Sequence, residues 1–572
     1  MMVEGSAVIA QSLKTQGVEF VFGIVGIPIV ELALAFQDAG IQFIGMRNEQ
    51  AASYAASAVG FLTGRPACCL VVPGPGLIHA LAGMANASVN CWPLLVIAGG
   101  YDTDQAGMGA FQEWPQVEAS RPYVKYAARL EGLQFAPFHI EKAVRTSMYG
   151  RPGPCYIEVP GDMITNTVDD SSISFPSRCP SPPSMLADPT AILKAVDSLR
   201  NAKCPLVIIG KGAAYGKAEK EIRKFVLKNN LPFLPTPMGK GVMPDDHPLC
   251  VSAARSRCLK GADVIILFGA RLNWILHFGK SPRFSPNAKV IQIDVCAEEM
   301  SNNVASHVML VGDIKSVAKQ LNSALEGQVS LCDPGCSWWY SLQQKVQENS
   351  LLSKSLMTDA SLPMSFYSAY SMIVQFLPRS VVIVNEGSTT MDIGRTVFNS
   401  HFPRQRLDAG TFGTMGVGCG FAIAAALLEQ QKLPSQQAPV LCIQGDSAFG
   451  FSGMEVETAH RYKLPVIFIV MNNNGIYQGM DGESWADISS ADCLGTSLPP
   501  TSLTPNLQYN MFAGLYNGEG YNIKTLNELS STLKKVFTTL PSRRCPVIIN
   551  VEVSPYSSKK PQEFSWLTRS KL

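Results

Sequence analysis

The sequence has little charge and almost no excess of either sign. Asp, Glu, Lys and Arg make up 16% of its 572 residues, and 47 Lys+Arg against 45 Asp+Glu leave a net charge of +2. No overall positive field therefore draws the chain to nucleic acid or to an anionic membrane surface, and any basic site has to be local. Long apolar runs are missing too. The longest, around Gly416 to Leu428, is too short and too rich in glycine to cross a bilayer, so no membrane span is expected. Met1 to Gly17 lacks the apolar stretch of a secretory leader, and none is expected to be removed. The 15 cysteines are scattered, and neither Cys68/Cys69 nor Cys332/Cys336 has a second pair at zinc-site spacing, which leaves them as ordinary thiols. What the chain does have is 46% hydrophobic residues and 47 glycines, a mix that excludes disorder and suits large α/β proteins with buried sheets and many tight turns.

Strand-like apolar runs alternate with helical patterns along the whole chain. This predicts an α/β fold of three domains, each with a mainly parallel sheet flanked by helices. The first domain, residues 1–170, closes on the strand-like Pro154 to Pro160 (PCYIEVP), and Ser171 to Pro183, rich in serine and proline, reads as a linker. The second, 188–330, carries the runs Pro205 to Gly210, Ala262 to Gly269 and Lys289 to Asp294. Past a polar stretch, Glu326 to Leu362, the third domain, 362–555, holds Val381 to Val384, Val440 to Ile443, Pro465 to Met471 and Pro546 to Val553. A tail, 556–572, ends in Ser570-Lys571-Leu572, a tripeptide read as a peroxisomal address. It implies an import receptor as partner and the peroxisomal matrix as location.

The most informative segment is Pro439 to Ser447 (PVLCIQGDS), followed by another strand and Met471 to Gly475 (MNNNG), with Asn473 standing 27 residues after Asp446. A strand ending in Gly-Asp puts a turn and a carboxylate at the carboxyl edge of a parallel sheet, where open α/β sheets bind ligands. Carboxylate, amide oxygen and backbone carbonyl suit an oxygen-loving ion such as Mg²⁺ that bridges to phosphates. A strand end and an unrelated turn would give the same letters, so the remaining stretches carry weight. In the middle domain Gly210 to Gly216 (GKGAAYG) is a loose dinucleotide fingerprint, but Leu231-Pro232-Phe233 stands where its acidic partner belongs, so NAD is not expected. Asp294 fits either a ribose hydroxyl or a helix cap.

The motif resembles that of the thiamine-diphosphate-dependent enzymes. Met108 to Glu118, Asn385 to Arg395, Gly445 to Glu455 and Phe564 to Arg569 resemble one group among them, the 2-hydroxyacyl-CoA lyases, close to oxalyl-CoA decarboxylase, and the likeness spans essentially the whole chain. The resemblance implies the thiamine-diphosphate-enzyme fold, with thiamine diphosphate and Mg²⁺ as cofactors. Asp446, Asn473 and the carbonyl of Gly475 would hold the metal. Gly26, His79, Gly413, Gly445, Ser447, Ala448, Ile476 and Tyr477 would line the cofactor, Ser447 standing where many members have glycine.

Glu49, in Met46 to Ala52 (MRNEQAA), matches the family's glutamate that protonates the aminopyrimidine so that the C2 proton can leave; by itself it reads more readily as a carboxylate at a helix start. Met415, in the glycine-rich Gly410 to Phe421, matches the apolar wedge that bends the cofactor, or is a core methionine. The implied reaction cleaves 2-hydroxyacyl-CoA between C1 and C2 to formyl-CoA and an aldehyde one carbon shorter, in peroxisomal fatty-acid α-oxidation. Gln112, Tyr477, His79 and Gln478 are candidates for the step at the 2-hydroxyl. Arg395, Arg404 and Arg406 are candidates for the CoA phosphates, although surface arginines usually only solvate. Arg151, Asp294 and Ile314 are candidates for an ADP site. A homodimer or homotetramer follows from the family's habit of building sites between subunits. Phe111-Gln112 stands where oxalyl-CoA decarboxylase has a Tyr-Glu pair, which makes that decarboxylase the runner-up. An acetolactate-synthase-like carboligase is a third reading. A non-catalytic paralogue acting as a subunit or regulator would be favoured by loss of Glu49 or Asn473, and both are present.

Overall fold

The computed structural model describes residues 1–327, 329–491 and 493–556; the tripeptide at 570–572 lies outside them. Three parallel sheets follow one another along the chain. The first contains β2 (Phe20–Gly23), β3 (Gln42–Gly45), β4 (Cys68–Val71), β5 (Leu94–Gly100), β6 (Tyr126–Arg129) and β7 (Pro154–Pro160), and a small antiparallel ribbon pairs β1 (Met2–Glu4) with β8 (Thr167–Asp169). The central sheet contains β9 (Pro205–Ile209), β10 (Phe233–Pro235), β11 (Val264–Phe268), β12 (Lys289–Asp294) and β13 (Val308–Val311). The third contains β14 (Val382–Glu386), β15 (Arg406–Asp408), β16 (Val440–Gly445), β17 (Ile467–Asn472), β18 (Glu519–Ile523) and β19 (Val547–Glu552). Central strands such as β4, β5, β9, β11 and β17 are buried throughout, as sheets covered by helices on both faces require. The α/β fold with three parallel sheets expected from the alternating runs is the fold observed.

The order of strands places the sites. The first sheet runs β3-β2-β4-β5-β7-β6 and the third β15-β14-β16-β17-β19-β18, so the two share one topology. In each, the strand order reverses between the first and third strands, β2/β4 and β14/β16, and the crevice at that reversal is where doubly wound sheets accept ligands. The central sheet, β10-β9-β11-β12-β13, has its reversal between β9 and β11.

The outer sheets are joined through helices. The Glu49–Thr63 helix, rich in alanine, lies against the Gly418–Gln430 helix, close enough that a Cβ on Gly420 would stand 2.6 Å from the carbonyl oxygen of Ala51. Phe421 reaches across to Tyr54 and Trp92, with ring centroids 6.4 and 5.5 Å away, and Trp92 stacks on Phe61. One apolar core therefore runs from the first sheet into the third.

Candidate functional site

Parallel pairing sets Glu386 beside Gln444 and Gly445 beside Met471, bringing the ends of β14, β16 and β17 together at the strand-order reversal. The chain leaves β16 at Gly445 and turns into a short helix that begins with Asp446, so this carboxylate stands at a sheet edge and a helix start together. Asp446 is 1% exposed. It accepts the N–H of Ser447 at 2.8 Å and that of Gly475 at 3.0 Å, and no cation pairs with it among the described residues. Burial, only partly offset by those N–H groups, pushes its carboxyl up to about 7. Asn473 is also buried; its Nδ2 donates to the carbonyl of Tyr477 at 3.2 Å, leaving its Oδ1 for a cation. Asn474 and Tyr477 take left-handed backbone (φ 63° and 70°) in the turn, and Ile476 and Tyr477 are about half exposed. No cluster of three His, Cys, Asp or Glu side chains suited to a metal exists among the described residues. One buried carboxylate, an amide oxygen and backbone carbonyls at the mouth of a phosphate-ready turn remain, and they fit Mg²⁺ rather than zinc.

Glu386, at the end of β14, went unnoticed in the sequence and organises the glycine-rich loop. It is fully buried and accepts from the N–H groups of Gly416 and Gly418 and from Gln444 Nε2. Gln444 is held in that orientation because its Oε1 accepts from the thiols of Cys419 and Cys442. Burial again pushes the carboxyl up to about 7 against these donors. The clamp closes directly behind Met415. At its other end the loop is fixed at Thr411, whose carbonyl accepts from Trp274 Nε1 at 2.8 Å, whose N–H donates to Asn90 Oδ1, and whose hydroxyl lies 3.1 Å from Lys211 Nζ. A lone Glu at the end of the apolar run Val381 to Val384 was the available signal.

In the first domain the reversal between β2 and β4 gathers the other predicted residues. Glu49 opens its helix behind Asn48, which caps it by accepting from Gln50 and Ala51, and its Oε2 is 3.0 Å from His79 Nδ1. Gly26 packs on Val72, the residue before the Pro73–Gly76 turn. Gln112, in left-handed backbone (φ 58°), lies against Gly74, and its Oε1 is buried without a partner. Glu113 holds the loop in front of it by accepting N–H groups of Gly107, Gly109 and Ala110. The two clusters approach each other only indirectly within one chain: Gln50 Oε1 stands 3.5 Å from where a Cβ on Gly416 would be, and Tyr54 meets Thr414.

Between the central and third domains opens a cleft of about 1410 Å³, walled by Gly387, Phe412, Gly413, Met415 and the cations Arg255, Lys260, Arg283, Lys354 and Arg395. Of the three arginines expected at CoA phosphates, only Arg395 faces it, with its Nε donating to the buried Asp408 at 3.0 Å. Arg406 is a correction: its side chain is 0% exposed, inside β15, where it bonds Asn385 and lies 3.6 Å from Asp408, so no ligand can reach it. Arg404 is engaged as well, pairing with Glu219 and the carbonyl of Ala214 and tying the third domain to the central one. Arg151 pairs with Glu299 at 2.8 Å and lies 3.9 Å from Asp294, which also caps Cys296; Ile314 is buried beside Gly216. At the reversal between β9 and β11, burial and the neighbouring Arg271 push the Lys211 ammonium down to about 7.

Three family models match: the thiamine pyrophosphate enzyme N-terminal TPP-binding domain over residues 3–119, the central domain over 192–321 and the C-terminal TPP-binding domain over 359–551. Among curated proteins, 2-hydroxyacyl-CoA lyase 1 of Mus musculus is 55% identical over 570 residues, covering 100% of this chain and 97% of the relative. The protein of the same name from Homo sapiens is 54% identical, covering 100% and 98%. Oxalyl-CoA decarboxylase of Escherichia coli K12 is 37% identical over 561 residues, covering 97% and 95%.

The buried carboxylates make a pH prediction. Asp446, Glu386 and Glu455, the last also pushed up to about 7 by burial, all titrate above the ordinary carboxylate range. The folded chain therefore keeps protons that the unfolded chain has already released; stability from these groups is fully present below about pH 4 and is lost as pH rises towards 7, by up to about 1.4 kcal/mol per pH unit for each carboxylate. The thermal midpoint of the cofactor-free protein should fall between about pH 5 and pH 7, and Asp446→Asn should make that fall shallower. A midpoint that rises over this range, or a slope unchanged by Asp446→Asn, contradicts the burial argument.

Proposed function

Because the chain belongs to the thiamine pyrophosphate enzymes and, among them, to the 2-hydroxyacyl-CoA lyases, we propose that its site cleaves 2-hydroxyacyl-CoA between C1 and C2, giving formyl-CoA and an aldehyde one carbon shorter. The observation that carries the reading is the buried, uncompensated Asp446 beside Asn473 and Gly475. A divalent ion held there would neutralise the carboxylate and the diphosphate together, and Mg²⁺ suits the oxygen set. When bound, thiamine diphosphate supplies an acidic C2 and an electron sink for bond cleavage next to a carbonyl.

Each residue then has a definite task. Gly445, Ser447 and Ala448 form the turn that accepts the diphosphate, and Gly413 and Met415 shape the cofactor's outer side from the loop that Glu386 clamps. Glu49 holds the proton exchanged with the aminopyrimidine, and His79 orients its carboxylate from 3.0 Å. Gln112 offers its unpartnered Oε1 to the substrate's 2-hydroxyl, and Tyr477 and Ile476 stand exposed at the turn beside Asn473. The cations of the large cleft, Arg395 among them, suit the phosphates of CoA. ADP is the proposed occupant of the central-sheet reversal, where Lys211 and Arg271 lie together.

A second copy of the chain would complete the site. Ile27, Ile78 and Phe111 stand exposed around the Glu49 cluster, and Phe451, Ile476 and Tyr477 around the Asp446 cluster. Covering these apolar residues favours a homodimer or a dimer of dimers. The terminal Ser570-Lys571-Leu572 supports import into the peroxisome and a place in fatty-acid α-oxidation. Deleting the tripeptide should move the protein to the cytosol in imaging with purified activity nearly intact; retention in peroxisomes would show that another signal acts.

The competing reading is oxalyl-CoA decarboxylase. Phe111-Gln112 offers neither a phenol nor a carboxylate at that corner, and this favours the lyase. The test is kcat/KM for a 2-hydroxyacyl-CoA and for oxalyl-CoA under identical conditions. The lyase substrate should win by about a hundredfold or more, a margin that one lost polar partner at a buried site can supply. A ratio favouring oxalyl-CoA, with CO₂ released, would overturn the assignment and leave the cofactor site standing.

A further inference from the structure

We infer that Glu455 is a positioning residue for Glu49: through the backbone N–H of Arg47, the third domain sets the orientation of the carboxylate that the first domain supplies. The inference rests on the reading of Glu49 as the proton-exchanging group. Glu455 opens the Glu455–Arg461 helix, the next after the short helix that begins at Asp446, is 1% exposed, and accepts the Arg47 N–H on Oε1 at 3.0 Å. Its Oε2 accepts from the hydroxyl of Thr458 at 2.7 Å, which fixes the rotamer. Three further contacts grip the same short segment. Tyr462 accepts the N–H of Gly45 at 2.7 Å on its hydroxyl and donates to the carbonyl of Phe43 at 3.2 Å, and Glu457 lies 3.8 Å from the Arg47 guanidinium.

Residues 43–48 form the end of β3 and the turn into the Glu49–Thr63 helix, and Asn48 is that helix's cap. The first domain holds the segment from its own side through the pairing of β3 with β2 as far as Gly45, the Met46 N–H given to the carbonyl of Gly23, and the Asn48 cap. The direction in which Glu49 leaves the helix start is thus set from both sides, the third domain contributing side chains more than 400 positions away on and just after the Glu455–Arg461 helix. A hydrogen bond that a buried carboxylate accepts from a backbone N–H is rigid because the donor cannot rotate away, and losing it loosens the turn rather than merely weakening a surface contact.

The test combines two readouts. In the cofactor-free protein, Glu455→Ala should raise amide hydrogen exchange of the Arg47–Gln50 segment about tenfold, whereas Glu455→Gln, whose amide oxygen still accepts, should stay near wild type. In the protein loaded with thiamine diphosphate and Mg²⁺, Glu455→Ala should slow exchange of the cofactor C2 proton about tenfold with cofactor Kd almost unchanged, and Glu455→Gln should restore most of the rate. Glu49→Gln serves as the reference arm. If it leaves C2 exchange at the wild-type rate, the reading of Glu49 fails. If it slows exchange while Glu455→Ala leaves both readouts at wild-type values, the positioning role fails. Should Glu455→Ala not fold, Tyr462→Phe decides: removing that hydroxyl should loosen the same segment and slow C2 exchange, and wild-type values in both would overturn the inference.

Discussion

A carboxylate held out of water without a cation is the constraint around which the third domain is arranged. Asp446 sits where the sheet's strand order reverses, and its two backbone donors cannot repay what burial costs a charge. The same domain buries Glu386 and Glu455, each met by N–H donors rather than by a lysine or arginine. Packing alone would not select three such groups, since each destabilises the empty chain near neutral pH. Their common feature is placement. One faces the proposed metal, one fixes the loop behind Met415, and one holds the turn in front of Glu49. Acidic groups met by neutral donors in place of lysine or arginine hold their surroundings without setting a competing cation beside the site.

The repeated topology explains how one chain carries both kinds of half-site that two copies would bring together. Because the first and third sheets have the same strand order, the crevices at their reversals are equivalent positions, and each gathers one part of the proposed site. Glu49, His79 and Gln112 gather at one reversal, and Asp446, Asn473 and Glu386 at the other. The helices after β3 and before β16 pack together and link the two. The central domain contributes differently: Lys211, Arg271 and Trp274 reach over to Thr411 and anchor the glycine loop, and Trp274 and its neighbours also wall the large cleft.

Local patterns were the legible part of the sequence. Buried strands read as apolar runs, and the Gly445–Asp446 and Asn472–Gly475 turns read as strand ends because ligand chemistry there depends on short stretches of adjacent residues. The Glu49–His79 pair was half visible, since the family resemblance singled out both residues but spacing along the chain gave no contact. Glu386 and Glu455 stayed hidden because their partners are backbone N–H groups that leave no trace in the letters, and Arg47 is remote from Glu455 in the chain. Arg406 misled for the opposite reason. In Arg404-Gln405-Arg406 the two arginines look like a basic surface loop, but the pairing of β15 with β14 turns Arg406 inward against Asn385 and Asp408.

The central claim, that Asp446 is built to exchange a proton for a divalent cation, is tested most directly by counting protons. Titrating a preformed complex of Mg²⁺ and thiamine diphosphate into the cofactor-free protein, by calorimetry in buffers of different ionisation enthalpy, measures the protons released on binding. With the carboxyl pushed up to about 7 by burial, release from Asp446 should approach one proton near pH 6 and decline as pH rises past about 7. A release that is absent near pH 6, or that grows with rising pH, would contradict the account.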